Sequence, residues 1–226
     1  MRILLVSATD AEIAPLVAGL RFTSEHSQRI KQYSHGAHEI DVLTTGVGMV
    51  ATAAWCSRAL AQASYGLALN AGVCGSFDRA IALGTTVHVV SDRIAELGAE
   101  DGEAFLTIQE MNLPGENEFP FTAGQLVNAK PPANTALSAL PSVTAVTVNT
   151  VHGDDRSIAA IVQRFNPQVE SMEGAAFMYA CLVQGVPFAQ VRAVSNAVER
   201  RNRSAWKITE AIDALARAAR NILDHA

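Results

Sequence analysis

Pro187-Phe188-Ala189-Gln190-Val191-Arg192-Ala193-Val194-Ser195-Asn196 reads as a buried strand with one charge in its middle and an amide at its end. An apolar, β-rich run of this length fits a strand covered on both faces. Before it, Glu173 to Gln184 reads as a helix, and a short strand ends at Glu170. Strand, helix, strand is the repeating unit of a parallel sheet. The alternation extends outward to the start of the chain: strand Arg2 to Ser7, helix Ala11 to Leu20, strand Ile40 to Thr45, helix Met49 to Ala63, strands Gly66 to Gly72 and Thr85 to Ser91. It resumes with a strand from Val143 to Val151 and a helix near Arg156 to Phe165, and closes with a helix from about Ala205 to Leu223. The fold class is α/β with a mostly parallel core. Open sheets of this kind bind ligands outside the carboxyl ends of their strands, where the polar residues singled out below fall.

The chain has 226 residues, of which 49% are hydrophobic, enough for one domain over 1–226 with a sizeable core. The apolar run Met1 to Ser7 turns acidic at Asp10 and Glu12, too short for a signal peptide, and no segment reaches the length of a membrane span. Cys56, Cys74 and Cys181 sit in apolar surroundings without metal-ligand spacing. They read as small buried residues in a reducing compartment, so a cytoplasmic location is expected. A net charge of −5 without a basic stripe argues against nucleic acid or an anionic membrane as partner. The expected partner is a small molecule, and no metal or cofactor is expected. Gly46-Val47-Gly48 lacks the rest of a dinucleotide fingerprint.

Ile94 to about Ala136 carries seven acidic residues and no basic one up to Glu118, followed by Pro120, Pro131 and Pro132. It reads as an excursion from the core: a solvated loop, a cover over a ligand, or a contact with a second subunit.

Four polar residues sit where chemistry is done. Glu12 lies in the first turn of a helix, where a carboxylate is also favoured by the helix dipole alone. Glu173 opens an apolar helix after Ser171-Met172, and its carboxylate can accept hydrogen bonds from two neighbouring hydroxyls. Arg192 lies mid-strand, where an unpaired charge would be costly, so it needs partners. Asn196 closes the strand. The pair Ser171-Met172-Glu173-Gly174 and Val191-Arg192-Ala193-Val194-Ser195-Asn196 resembles the nucleosidase and nucleoside phosphorylase superfamily, in particular the methylthioadenosine/S-adenosylhomocysteine nucleosidases.

The resemblance implies a three-layer αβα sandwich with a mixed, mostly parallel central sheet, and a homodimer or higher homo-oligomer. It implies that Glu12 activates water, that Glu173 with Met172 grips a ribose, and that Arg192 supports the water. Asn70-Ala71-Gly72-Val73-Cys74-Gly75-Ser76 resembles the family's glycine loop, where glycines let the backbone approach the ligand, with Ser76 as a second water ligand. An Arg for phosphate is absent between Ser7 and Leu20, which favours hydrolysis over phosphorolysis. His152 and its neighbours fall in the segment that touches the base in relatives. A stacking aromatic is not evident there, which leaves Phe77 or Phe105 as candidates; His152 is a further candidate base, although a lone His near a turn is more often structural.

Asn196 stands where the nucleosidases have an Asp. An Asn amide can donate to N7 and O6 of a 6-oxopurine together, and it cannot serve adenine as a general acid. Ser195-Asn196-x-Val198-x-x-Arg201-Asn202 followed by Trp206 resembles the futalosine hydrolase branch of the superfamily. That implies release of hypoxanthine from an inosine-like nucleoside with a benzoate-bearing 5′ tail, on the menaquinone pathway, with Arg201 and Trp206 near the tail. The rival readings are an adenine-releasing methylthioadenosine/S-adenosylhomocysteine nucleosidase and a noncatalytic nucleoside-binding protein.

Overall fold

The computed structural model describes residues 1–226. In chain order the elements are β1 (Arg2–Ser7), α1 (Asp10–Val17), β2 (Arg21–Glu25), β3 (Ile30–His35), β4 (His38–Thr44), α2 (Met49–Gln62), β5 (Leu67–Ser76) and β6 (Thr86–Ile94). They continue with β7 (Gly98–Asp101), β8 (Ala104–Thr107), β9 (Leu126–Val127), α3 (Thr135–Ser138), β10 (Ser142–Thr147) and α4 (Asp155–Phe165). The last four are β11 (Val169–Ser171), α5 (Gly174–Gln184), β12 (Phe188–Ala197) and α6 (Ile208–Asp224).

β1 pairs parallel with both β4 and β5, and β12 continues the sheet parallel to β5. These strands are apolar nearly throughout because helices cover both faces. Alternate residues of β1 show the two layers: Ile3 and Leu5 pack with Leu215 and Ile222 of α6, while Leu4 and Val6 pack with Cys56 of α2 and Phe177 of α5. Beyond β12 the sheet turns mixed, with β6 antiparallel to β12, and β10 then joining β6 in parallel. β11 pairs parallel with β10 and antiparallel with the end of β5, through Val169 to Ser76 and Glu170 to Gly75. This half of the sheet therefore curls until it closes on itself, and the closure brings β5, β11 and β12 together at one end.

Several boundaries differ from the sequence reading. Residues 21–35 form a hairpin, β2 and β3, at the opposite sheet edge; its exposed polar residues give no clear alternation. Asn70 to Ser76 is not a turn after a strand: β5 runs through it to Ser76. The strand from Val143 ends at Thr147, and the Asn149 amide instead donates to the Glu96 carboxylate at 2.9–3.0 Å. The last helix starts at Ile208, after a short 3₁₀ turn over Arg203–Ala205. Within the acidic excursion, β7 and β8 form a hairpin and β9 pairs with β6, burying Leu126 completely.

His88 on β6 is buried with no partner for its Nε2. An unpaired buried polar group costs roughly 1–3 kcal/mol, so His88→Leu is expected to stabilise the fold by about 1 kcal/mol in urea unfolding. Burial lowers the His88 pKa below 6.5. The unfolded chain then takes up this proton first, so stability falls as pH drops below 6.5, and the Leu variant should show a flatter acid limb.

Candidate active site

Glu12 is placed by local sequence. Thr9 caps α1, its hydroxyl accepting from the Glu12 amide at 3.4 Å, while Glu12 Oε2 accepts from the Thr9 amide at 3.1 Å and its hydroxyl at 2.9 Å. This is a reciprocal capping box, and the Thr-x-x-Glu spacing announces it. The other oxygen, Oε1, reaches across to β5 and accepts from the Val73 amide at 3.1 Å. Glu12 thus serves the helix and still borders the cavity at the strand ends, its carboxylate oriented by three donors.

Glu173 comes from the short link between β11 and α5. Its Oε1 accepts from the Gly48 amide at 3.1 Å, across the molecule. Gly48 has φ +99°, a conformation that glycine adopts at no steric cost, so the Gly46-Val47-Gly48 turn aims an amide at a carboxylate. Burial pushes the Glu173 carboxyl above its ordinary range; Arg192 and the Gly48 amide pull it back, and the nearby charge of Glu12 raises it further.

Arg192 lies behind them, 1% exposed, its Nη1 at 3.9 Å from Glu173 Oε2. Its Nε donates to Gln190 Oε1 at 3.1 Å and its Nη2 to Asn70 Oδ1. Gln190 in turn donates to Asp92 at 3.1 Å. Asp92 is fully buried, and burial pushes it up to about 6 against the hydrogen bonds of Gln190 and Thr147. Gly72 makes room for the guanidinium: a Cβ there would overlap Arg192 Nη1 and lie 3.3 Å from Glu12 Oε1. Arg192 is not among the residues that line the cavity; its guanidinium lies behind Glu173, beside Gly72.

Asn196 owes its aim to a β-bulge. β12 pairs Val194 with Cys74 and Asn196 with Gly75, leaving Ser195 as the extra residue. The Ser195 hydroxyl donates to Asn196 Oδ1 at 2.9 Å, and Asn196 Nδ2 donates to the Ala197 carbonyl at 2.9 Å. One amide N–H is left for the cavity.

These side chains border a cavity of about 400 Å³, a volume suited to a nucleoside-sized ligand. Glu12, Glu173, Met172 and Asn196 all line it, as do Arg201 and Trp206 at its outer end, with the Arg201 guanidinium 5.6 Å from the indole ring. Ser76 does not. Its hydroxyl lies against the backbone carbonyls of Asp78 (2.9 Å) and Gln168 (3.2 Å), because β11 closes over that end of β5. Phe77 also falls outside, packed edge-on against His152 with ring centres 6.1 Å apart, and Phe105 lies under the Arg164 guanidinium. Neither aromatic borders the cavity, whose walls there are Val73, Val151 and Met172. No residue between Ile94 and Ala136 lines it either. No group of three His, Cys, Asp or Glu side chains gathers as a metal site would require. Thr9, Gly48 and Glu170 escaped the sequence reading, and only the capping spacing at Thr9 carried a local signal.

The curled mixed sheet, with acids and an amide at its strand ends, places the chain in the phosphorylase superfamily, whose family model matches residues 2–226. Among solved structures, a methylthioadenosine/S-adenosylhomocysteine nucleosidase from Helicobacter pylori matches with TM-score 0.83 and 16% identity, covering 100% of this chain and 99% of that one. The futalosine hydrolase of Helicobacter pylori matches with TM-score 0.81 and 15% identity, covering 100% and 98%. Sequence relatives divide the superfamily more finely. The futalosine hydrolase of Thermus thermophilus is 33% identical over 188 residues, 80% of each chain, and that of Streptomyces coelicolor is 35% identical over 181 residues, 77% of this chain and 74% of that one. The chain belongs to the futalosine hydrolase family.

Proposed function

We propose that the chain is an enzyme, a single nucleosidase domain over 1–226, that hydrolyses the N-glycosidic bond of futalosine, releasing hypoxanthine and dehypoxanthine futalosine for menaquinone biosynthesis. The observation that carries this reading is Asn196, an amide with a free N–H at the point where an adenine nucleosidase has an acid. Shared between N7 and O6, that N–H suits a departing 6-oxopurine, which can carry negative charge on O6.

Bond cleavage passes through a sugar with oxocarbenium character. Glu173, held by the Gly48 amide, accepts the ribose hydroxyls, and its charge favours the cationic sugar. Glu12 takes the proton from the water that attacks C1′ while the C–N bonding pair leaves with the base. Arg192 neutralises part of the charge of the two acids and fixes Glu173. Arg201 and Trp206 at the outer end suit a tail that ends in an aromatic carboxylate.

The outer faces of α2 and α5 expose Val50 (82%), Val183 (51%) and Tyr179 (40%), which suits pairing of two copies through this layer as a homodimer. The free thiols of Cys56, Cys74 and Cys181 are all buried, which suits a reducing, cytoplasmic setting.

The testing experiment measures base release from futalosine, methylthioadenosine and inosine, with and without phosphate. Phosphate-independent hypoxanthine from futalosine supports the reading; adenine from methylthioadenosine alone overturns it. Asn196→Asp is expected to shift preference toward the 6-amino analogue of futalosine by about tenfold or more, measured as the ratio of kcat/KM values. An unchanged ratio removes Asn196 from base recognition.

A further inference from the structure

His152 and Glu170 form a second polar pair at the base end of the cavity. Glu170 is 4% exposed, and both its oxygens are taken by one residue: Oε1 accepts from the His152 amide at 3.1 Å, and Oε2 lies 2.6 Å from His152 Nδ1. A carboxylate accepts only, so Nδ1 carries the hydrogen and, in the neutral ring, Nε2 keeps its lone pair. Nε2 makes no hydrogen bond within the chain, yet it is not sealed off, and His152 and Glu170 both line the cavity. The ring is steadied by Phe77 packed against its edge.

The pair sits beside Asn196. A Cβ on Gly75 would lie 3.2 Å from Asn196 Nδ2 and 3.6 Å from Glu170 Cγ, so the amide and the carboxylate flank the same glycine. The register of β11 on β5, Glu170 opposite Gly75, fixes this neighbourhood. A 6-oxopurine presents, in order along one edge, an acceptor at N7, an acceptor at O6 and a donor at N1–H. Asn196 offers the donor for the first two. What remains to be matched is an acceptor beside it, and His152 Nε2 is one. Adenine presents a donor amine at position 6 and an acceptor at N1, opposed to the site at both.

We infer that His152 is a specificity-determining residue whose Nε2 accepts the N1–H of the 6-oxopurine, and that Glu170 is the positioning residue fixing its tautomer and ring orientation. This rests on the hydrolase reading above. Glu170 acts through His152 as the outer carboxylate of a histidine ligand acts at a metal site, selecting which nitrogen faces the ligand.

The test compares release of base from futalosine, from its N1-methyl derivative and from its 6-amino analogue by the wild type, His152→Leu, His152→Gln and Glu170→Gln. The wild type is expected to prefer futalosine over the N1-methyl compound by at least about tenfold in kcat/KM. His152→Leu should lose about that factor on futalosine, largely through KM, and no longer distinguish the two. His152→Gln, which keeps an acceptor oxygen, should recover part of the preference, and Glu170→Gln should lose it with His152 intact. The inference is overturned by a folded His152→Leu enzyme that keeps both preferences. It is equally overturned, without any variant, by a wild type that cleaves the N1-methyl nucleoside as fast as futalosine. Absence of hypoxanthine release from futalosine by the wild type overturns the hydrolase reading itself, whereas release with unchanged preferences in the variants overturns only this inference.

Discussion

Glu12→Gln is expected to lower kcat for hypoxanthine release by about 10²–10⁴-fold, the range that a positioned general base supplies. The substitution is chosen because Gln also completes a capping box, so the amide can still accept from the Thr9 backbone and α1 keeps its start. Something is nevertheless lost. The carboxylate has three donors, two from Thr9 and one from the Val73 amide, and an amide that turns its oxygen to one side presents hydrogens to the other. One donor left unpaired costs about 1–3 kcal/mol of stability, visible as a lower urea midpoint with an unchanged slope. The stability loss and the rate loss are thus separable: folded variant enzyme, quantified by its unfolding curve, should bind product hypoxanthine and turn over substrate slowly. A variant retaining more than a tenth of wild-type kcat removes Glu12 from water activation and leaves it as a helix cap.

Much of the site was legible because its chemistry is written in residue types that make little sense otherwise. A charge in the middle of Pro187 to Asn196 had to be paired, and an acid opening the apolar helix at Glu173 pointed toward a ligand; Arg192 sits mid-strand within 3.9 Å of Glu173, which follows the end of β11. For Arg192 the sequence shows the charge but not the neighbours Asn70 and Gln190 to which its guanidinium donates. Ser76 lies outside the cavity lining for a topological reason. The reading of Asn70 to Ser76 as a turn assumed that β5 stopped at Gly72, whereas β11 extends it by pairing antiparallel with its end, a contact between residues more than ninety positions apart. The same closure brings Glu170 to the cavity. Local pattern cannot report it, because Val169-Glu170-Ser171 is three residues long and carries no period. The β2 and β3 hairpin was missed through the opposite cause, a sheet edge whose exposed residues have no apolar face to read.

Gly72→Ala, a single methyl, is expected to cut kcat/KM about 10²-fold although no atom of Gly72 takes part in the reaction. Its Cβ would overlap Arg192 Nη1 and crowd Glu12 Oε1 at 3.3 Å, so the change strikes both acids' supports at once. An arginine tip is ordinarily mobile and would step aside. Here it is 1% exposed, tethered by Gln190 on its Nε and by Asn70 on Nη2, and Gln190 is itself held by the buried Asp92. Moving the guanidinium means breaking a charge-assisted bond in a buried space, and the displaced group no longer faces Glu173. Overpacking of this kind costs about 1–3 kcal/mol, measurable in the same urea titration. The loss of activity should appear mainly in kcat, because the change disturbs Glu173, which meets the sugar as it gains positive charge, and Glu12, which takes the proton from the water, and not the groups that meet the base. A Gly72→Ala enzyme with wild-type kcat/KM and an unshifted midpoint would show that the guanidinium relocates freely, and the inward network from Asp92 to Arg192 would then be packing without influence on the reaction.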